Sequence, residues 1–307
     1  MKESRNQSII IDLIGRSGIT LHMKREDELH PFISGNKYRK LKYNLLEAKA
    51  QGANTLLSFG GAFSNHISAL AYAGKKYGFK TIGIIRGEEL GESLETTLKN
   101  NTTLKQAFEN GMRFKFISRA HYRNKQTDHF IAALREEFGS FYLVPEGGTN
   151  ELAIKGCEEI LTEMDQDYDF ICVAAGTGGT ISGLINSAFG GQKILGFPSL
   201  KGMFLEDEIE KLTPAKNNWE LIHHYHFGGY AKINENLISF INEFYQQTTI
   251  PLDPVYTGKM MFGIIDMIKN KYFNKNCKIL AIHTGGLQGI DGMNQRLLKK
   301  KLPLINV

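Results

Sequence analysis

The chain has 307 residues, 42% hydrophobic and 22% charged, with 37 basic and 32 acidic side chains and a formal charge of +5. That balance is ordinary for a globular protein of about two domains, and it argues against a disordered or strongly polyanion-binding chain. The basic residues are scattered; the one dense run, Lys299-Lys300-Lys301, reads as a solvated helix end, not a nucleic-acid patch.

Cys157, Cys172 and Cys277 lie far apart, with no Cys-x-x-Cys, which predicts reduced thiols in a cytoplasmic protein and no disulfide framework. Ile9-Ile10-Ile11 is interrupted by Asp12 and is too short for a signal peptide. Nothing approaches the roughly 18 uninterrupted apolar residues of a membrane span.

In chain order, Gly35-Asn36 marks a turn that places Lys37 at the mouth of a helical pattern, and Gly52 closes that pattern. A β-branched apolar run follows at 55–59. Ser64 is placed to cap a helix over 65–77, which Gly78 ends. Further strand-like runs fall at 81–85, 114–117 and 141–144, with a helix over 128–138. After Gly147-Gly148-Thr149-Asn150, Asn150 opens another helix. The second series of strands is 170–174, 194–197, 221–225 and 279–282, with helices over 180–189 and from about Lys259. Continuous apolar strands alternating with helices predict an α/β fold of two parallel sheets, each covered by helices. No linker composition is visible, so the domain joins are expected to be short crossings near 40–50 and near 147–150.

Five segments carry candidate chemistry. Lys37 leads, because an amine attacks a carbonyl only when neutral, and Arg39, Lys40 and Lys42 supply local positive charge that lowers its pKa. Lys37 and Lys40 share a helix face, so one could bond to an aldehyde while the other grips a phosphate; a plain basic helix start explains them too. The run from Gly176 through Thr177, Gly178, Gly179 and Thr180 follows a strand and opens a helix, as an anion cradle does. Ile181 spoils the dinucleotide fingerprint and Leu184 stands where a Walker loop needs lysine, which leaves a monophosphate cradle or a ligand-free turn. In Gly60-Gly61-Ala62-Phe63-Ser64-Asn65, Ser64 could hold a carboxylate and Asn65 a phenolate oxygen, although capping alone accounts for Ser64. In Asp253-Pro254-Val255-Tyr256-Thr257, Tyr256 could stack on a ring or act as an acid and Thr257 could offer a neutral hydrogen bond; a turn into the next helix is the plainer reading. His283-Thr284-Gly285-Gly286 ends a strand where open α/β sheets bind ligands. His223-His224-Tyr225-His226, read as a strand, would put His224 and His226 on one face, but no cysteine or carboxylate completes a metal set.

In this order the segments resemble the pyridoxal-phosphate enzymes that comprise D-cysteine desulfhydrase and 1-aminocyclopropane-1-carboxylate deaminase. The motif Gly35-Asn36-Lys37-x-Arg39-Lys40-Leu41, the run Leu252 to Lys259 and His283 to Gly286 carry the likeness, which spans residues 24–286. It implies a tryptophan-synthase-β-like fold (fold type II) of two open twisted α/β sheets. The large domain would comprise 1–42 and 149–307 and the small domain 43–148, with the cofactor pyridoxal 5′-phosphate in the cleft and a homodimer as the active unit. By the same resemblance Lys37 is the Schiff-base lysine, and Lys40 with the loop Thr177 to Thr180 is the phosphate site. Asn65 lies at the cofactor's 3′ oxygen, Ser64 on the substrate side, Tyr256 near ring and substrate, and Thr257 at the pyridine nitrogen. Cyclopropane deaminases resemble one another in carrying Glu at the position of Thr257, and Phe63 stands where a polar residue is common. The expected activity is therefore degradation of D-cysteine to pyruvate, sulfide and ammonia. Deamination of the cyclopropane acid is the first alternative and a non-catalytic ligand-binding homologue the second. A nucleotide-binding oxidoreductase is disfavoured by the failed fingerprint, and no nucleic-acid or membrane partner is expected.

Overall fold

Among the residues described by the computed structural model, 3–307, ten strands form two sheets. In chain order they are β1 (Asn6–Ser8), β2 (Thr20–Lys24), β3 (Thr55–Gly61), β4 (Lys80–Arg86), β5 (Met112–Ile117), β6 (Tyr142–Val144), β7 (Phe170–Ala175), β8 (Lys193–Pro198), β9 (Trp219–Leu221) and β10 (Lys278–Ile282). One sheet has the order β1-β2-β10-β7-β8-β9 and the other β5-β4-β3-β6. Every pairing is parallel except β1 with β2.

The apolar runs explain this layering. Along β7, Ile171 and Val173 face one core while Cys172 and Ala174 face the other; along β10, Leu280 and Ile282 alternate with Ile279 and Ala281 in the same way. Both faces of a strand with period 2 are thus apolar, and each needs a cover of helices. The helix Thr257–Lys269 supplies Met260, Ile264 and Ile268 on one side, and the helix Gly179–Ser187 supplies Ile181, Leu184 and Ile185 on the other. In the smaller sheet Leu56 and Ile85 face one core, and Leu57, Phe59, Ile82 and Ile84 the other.

The helices Asn65–Tyr77 and Asp128–Phe138 have the expected bounds. The caps hold as well: Ile67 N–H donates to Ser64 Oγ at 3.3 Å and Ala153 N–H to Asn150 Oδ1 at 2.9 Å. The helical pattern that Gly52 closes is the helix Asn36–Ala50, and it makes the crossing at 40–50, running from beside β10 into the smaller sheet's core. Two expectations change. The strand expected at 221–225 lies earlier, at Trp219–Leu221, and His223–Tyr225 is a single 3-10 turn, so His224 and His226 are not neighbours on a strand face. Among the described residues, no group of three potential ligands could hold a metal ion. Finally, β1 and β2 were unforeseen: β1 is short and polar, β2 puts only Leu21 and Met23 into the core, and buried Lys24 is tolerated because its Nζ meets Asp165 Oδ2 at 2.7 Å. Among the described residues no helix is long and apolar enough to cross a membrane.

Candidate active site

The carboxyl ends of β3, β4 and β6 in one sheet, and of β7, β8 and β10 in the other, border one cavity of about 720 Å³. Parallel strands leave their ligand-binding turns at that end, so the topology concentrates the loops there.

Lys37 lies on its wall. Gly35 adopts φ +60°, and a Cβ there would fall 2.0 Å from the carbonyl oxygen of Thr284, so only glycine lets this turn pass the end of β10. The amine of Lys37 donates to Asn36 Oδ1 at 2.9 Å, and Asn36 Nδ2 donates to Thr180 Oγ1 at 2.9 Å. Burial, and then the charge of Lys40, lower the Lys37 pKa from 10.5 to about 7. The other two basic neighbours invoked from sequence take no part. Arg39 is held by Glu26 at 2.8 and 2.9 Å, and Lys42 by Glu159 at 2.6 and 2.7 Å, so their charges are already neutralised.

Lys40 is 2% exposed. Its Nζ donates to Gly147 O at 3.1 Å, Thr149 Oγ1 at 3.0 Å and Thr177 Oγ1 at 3.4 Å, with no carboxylate among its partners. A buried ammonium without a counter-ion is costly, and this one sits beside the start of the helix Gly179–Ser187, whose free N–H groups also favour an anion. Gly178 adopts φ +80°, and a Cβ on Gly179 would lie 2.9 Å from Thr149 and 3.2 Å from Lys40 Nζ. The cradle therefore depends on these glycines. Thr149, which the sequence offered only as part of a turn, is an integral member of it.

Ser64 and Asn65 reach the cavity from the turn after β3. A Cβ on Gly286, at φ +97°, would come within 2.8 Å of Asn65 Nδ2, so this glycine seats the asparagine. Phe63 also lines the cavity and lies against Gly292. Tyr256 packs on Gly176 and meets the ring of Tyr230 edge-on, with ring centroids 6.2 Å apart. Burial raises the pKa of both phenols, that of Tyr256 well above 10, so both keep their protons at neutral pH. Tyr230 gave no sequence signal beyond the preceding Gly228-Gly229 pair, because it lies outside regular structure. His66 was also missed; it lines the cavity, bonds Ser58 Oγ through Nε2 at 2.8 Å, and is kept neutral by burial and by Lys37 and Lys40.

Thr257, expected at the pyridine nitrogen, is not among the residues that line the cavity. Its hydroxyl donates to Asp253 Oδ1 at 2.8 Å and accepts from Asp253 N–H at 2.9 Å, and its side chain is fully buried behind the cavity wall. Position in the Asp253–Thr257 turn, which four donations to Asp253 hold shut, turns it away. Thr284, just past the end of β10, does line the cavity.

Residues 10–285 match the family described as pyridoxal-phosphate dependent enzyme. The chain belongs to that family. A putative 1-aminocyclopropane-1-carboxylate deaminase from Pyrococcus horikoshii is 31% identical over 297 residues, 92% of this chain and 89% of the relative. A D-cysteine desulfhydrase from Klebsiella pneumoniae is 29% identical, over 90% and 88% of the two chains. A bifunctional D-cysteine desulfhydrase/1-aminocyclopropane-1-carboxylate deaminase of Arabidopsis thaliana mitochondria is 30% identical, over 89% and 74%. The solved structure of an ACC deaminase homologue superposes with a TM-score of 0.81 at 28% identity, covering 97% of this chain and 94% of that one. The protein is thus a pyridoxal-phosphate-dependent enzyme with the fold type II architecture, and the non-catalytic reading is set aside. The residues fit the cofactor: a neutralisable amine for its aldehyde, and an uncompensated buried cation with a glycine cradle for its phosphate.

Proposed function

We propose that this enzyme is a lyase that degrades a small amino acid, D-cysteine, to pyruvate, sulfide and ammonia. When bound, the cofactor supplies an aldehyde for the substrate amine and a ring that accepts electrons from Cα. Lys37 would hold it and, once displaced by the substrate amine, take the Cα proton; a pKa of about 7 suits a base working near neutrality. Lys40, Thr177, Gly178, Gly179 and Thr180, joined by Thr149, would hold the phosphate, and Asn65 the 3′ oxygen. Ser64 and the N–H groups at the start of the helix Asn65–Tyr77 would receive the substrate carboxylate. Tyr256, backed by Tyr230, would give its proton to the departing sulfur.

The observation that carries the choice of D-cysteine is the lack of a free carboxylate on the cavity wall. Among the described residues its two carboxylates, Glu146 and Asp253, are each engaged by donors outside the cavity, and the end of β10 offers only the hydroxyl of Thr284. With no carboxylate to strengthen the ring's pull on electrons, a substrate carrying its own good leaving group is favoured, and sulfide leaves more readily than a cyclopropane carbon. Deamination of the cyclopropane acid is the second reading, supported by the names of the Pyrococcus and Arabidopsis relatives. Incubation with each compound separates them: pyruvate and sulfide from D-cysteine support the first, and comparable 2-oxobutyrate from the cyclopropane acid overturns it.

The same reading takes 43–148 as the small domain and 1–42 with 149–307 as the large one, in a cytoplasmic homodimer. The smaller sheet falls within 43–148, and three free, buried cysteines suit a reducing compartment. Light scattering that returns a monomer mass would refute the dimer.

A further inference from the structure

We infer that Arg86 is a specificity-determining residue, which receives a second anionic group at the far end of the substrate's side chain. The inference rests on the reading of this cavity as a site for an amino acid. Arg86 closes β4 and lines the cavity. Its guanidinium carbon lies 5.6 Å from the centroid of the Tyr122 ring, and Nη2 lies 3.6 Å from the position a Cβ on Gly61 would take. The group is therefore stacked on an aromatic face and carried across the glycine that precedes the Ser64 turn.

Charge balance shows what is left for Arg86 to do. Tyr122 Oη donates to Glu146 Oε1 at 2.7 Å, and Lys125 meets Glu146 Oε2 at 3.2 Å. Asp253 accepts three backbone N–H groups and the hydroxyl of Thr257. Both wall carboxylates are thus spent, and Arg86 has no ion-pair partner among the described residues. Arg296 and Lys299 also line the cavity, and the Arg296 guanidinium donates to the carbonyl of Ala231 at 3.1 Å. The wall beyond Lys37 and Lys40 therefore carries three cations with no free anion, which concentrates anionic solutes at its mouth. Lys40 is committed to the phosphate, and Ser64 with its helix start to the α-carboxylate, so Arg86 is left for a further oxyanion. A guanidinium fork matches a carboxylate or sulfonate in two parallel hydrogen bonds. A volume of 720 Å³ leaves room beside the cofactor for a side chain longer than that of cysteine. The substrate class that Arg86 would add beside D-cysteine is a β-substituted amino acid whose side chain ends in an oxyanion.

The test compares S-carboxymethyl-D-cysteine with its neutral counterpart S-carbamoylmethyl-D-cysteine on the holoenzyme, by kcat/KM for pyruvate release and by calorimetric Kd. The wild type should favour the acid about tenfold or more, the scale of one charge-assisted hydrogen bond. In Arg86→Gln the ratio should fall to near one in both measurements, and Arg86→Lys should keep part of it. A ratio near one in the wild type, a ratio unchanged in Arg86→Gln, or no binding of either compound overturns the inference. Arg86-dependent preference in binding without pyruvate release upholds it and removes the elimination reading. Pyruvate release without preference does the reverse.

Discussion

The pKa of Lys37 gives the sharpest prediction, because it converts burial into a rate. At about 7, half of the amine is neutral at pH 7. An amine at the ordinary 10.5 would be neutral in about 1 molecule in 3,000 at that pH. The sign is that of a base whose charged form is disfavoured: reactivity rises with pH, with its midpoint near 7. Burial is the larger cause and Lys40 the next, so Lys40→Met should raise the midpoint only part of the way toward 10.5. The assay is reductive methylation of the apoenzyme by formaldehyde across pH 5–10, with Lys37 followed by peptide mass spectrometry and surface lysines such as Lys211 as the internal control. A wild-type midpoint above 9 would refute the reasoning. A return to 10.5 in Lys40→Met would show that charge, not desolvation, sets the value.

Four further outcomes follow from the same geometry. Gly286→Ala places a Cβ 2.8 Å from Asn65 Nδ2 at φ +97°, and should cost about 1–3 kcal/mol and weaken cofactor retention in equilibrium dialysis. Thr149→Val removes an acceptor from Lys40 and a partner 2.6 Å from Thr177, and should raise the cofactor Kd about tenfold in a fluorescence titration. Glu26→Gln leaves buried Arg39 only the more distant Glu159, at 3.7 Å, as a charge partner and should cost about 3 kcal/mol in urea unfolding at unchanged m-value. Tyr256→Phe should lower kcat for D-cysteine about 10²-fold or more while leaving cofactor content intact, as loss of a proton donor does; an unchanged kcat would remove Tyr256 from the chemistry.

Much of the molecule was legible in its sequence, for a reason that differs by element. Helices such as Asn65–Tyr77 announced themselves because periodicity, an N-cap serine and a left-handed terminal glycine agree. β7 and β10 did so because a strand covered on both faces is apolar throughout. β1 and β2 did not, since their pairing is justified by partners far along the chain, Asp165 and Tyr168 among them. β9 was misplaced because an apolar run next to histidines carries no marker of where pairing stops.

The order and type of its motifs alone determined the family, the cofactor, and the amine and glycine cradle that would meet it, because those demands are local: a turn, a helix start, a close backbone approach. Only the tertiary structure decided which charges act. It paired Arg39 and Lys42 away from Lys37, left Lys40 without a counter-ion, turned Thr257 behind the wall and brought Tyr230 to Tyr256. Burial and electrostatic partnership are properties of distance in space, and spacing along the chain does not encode them.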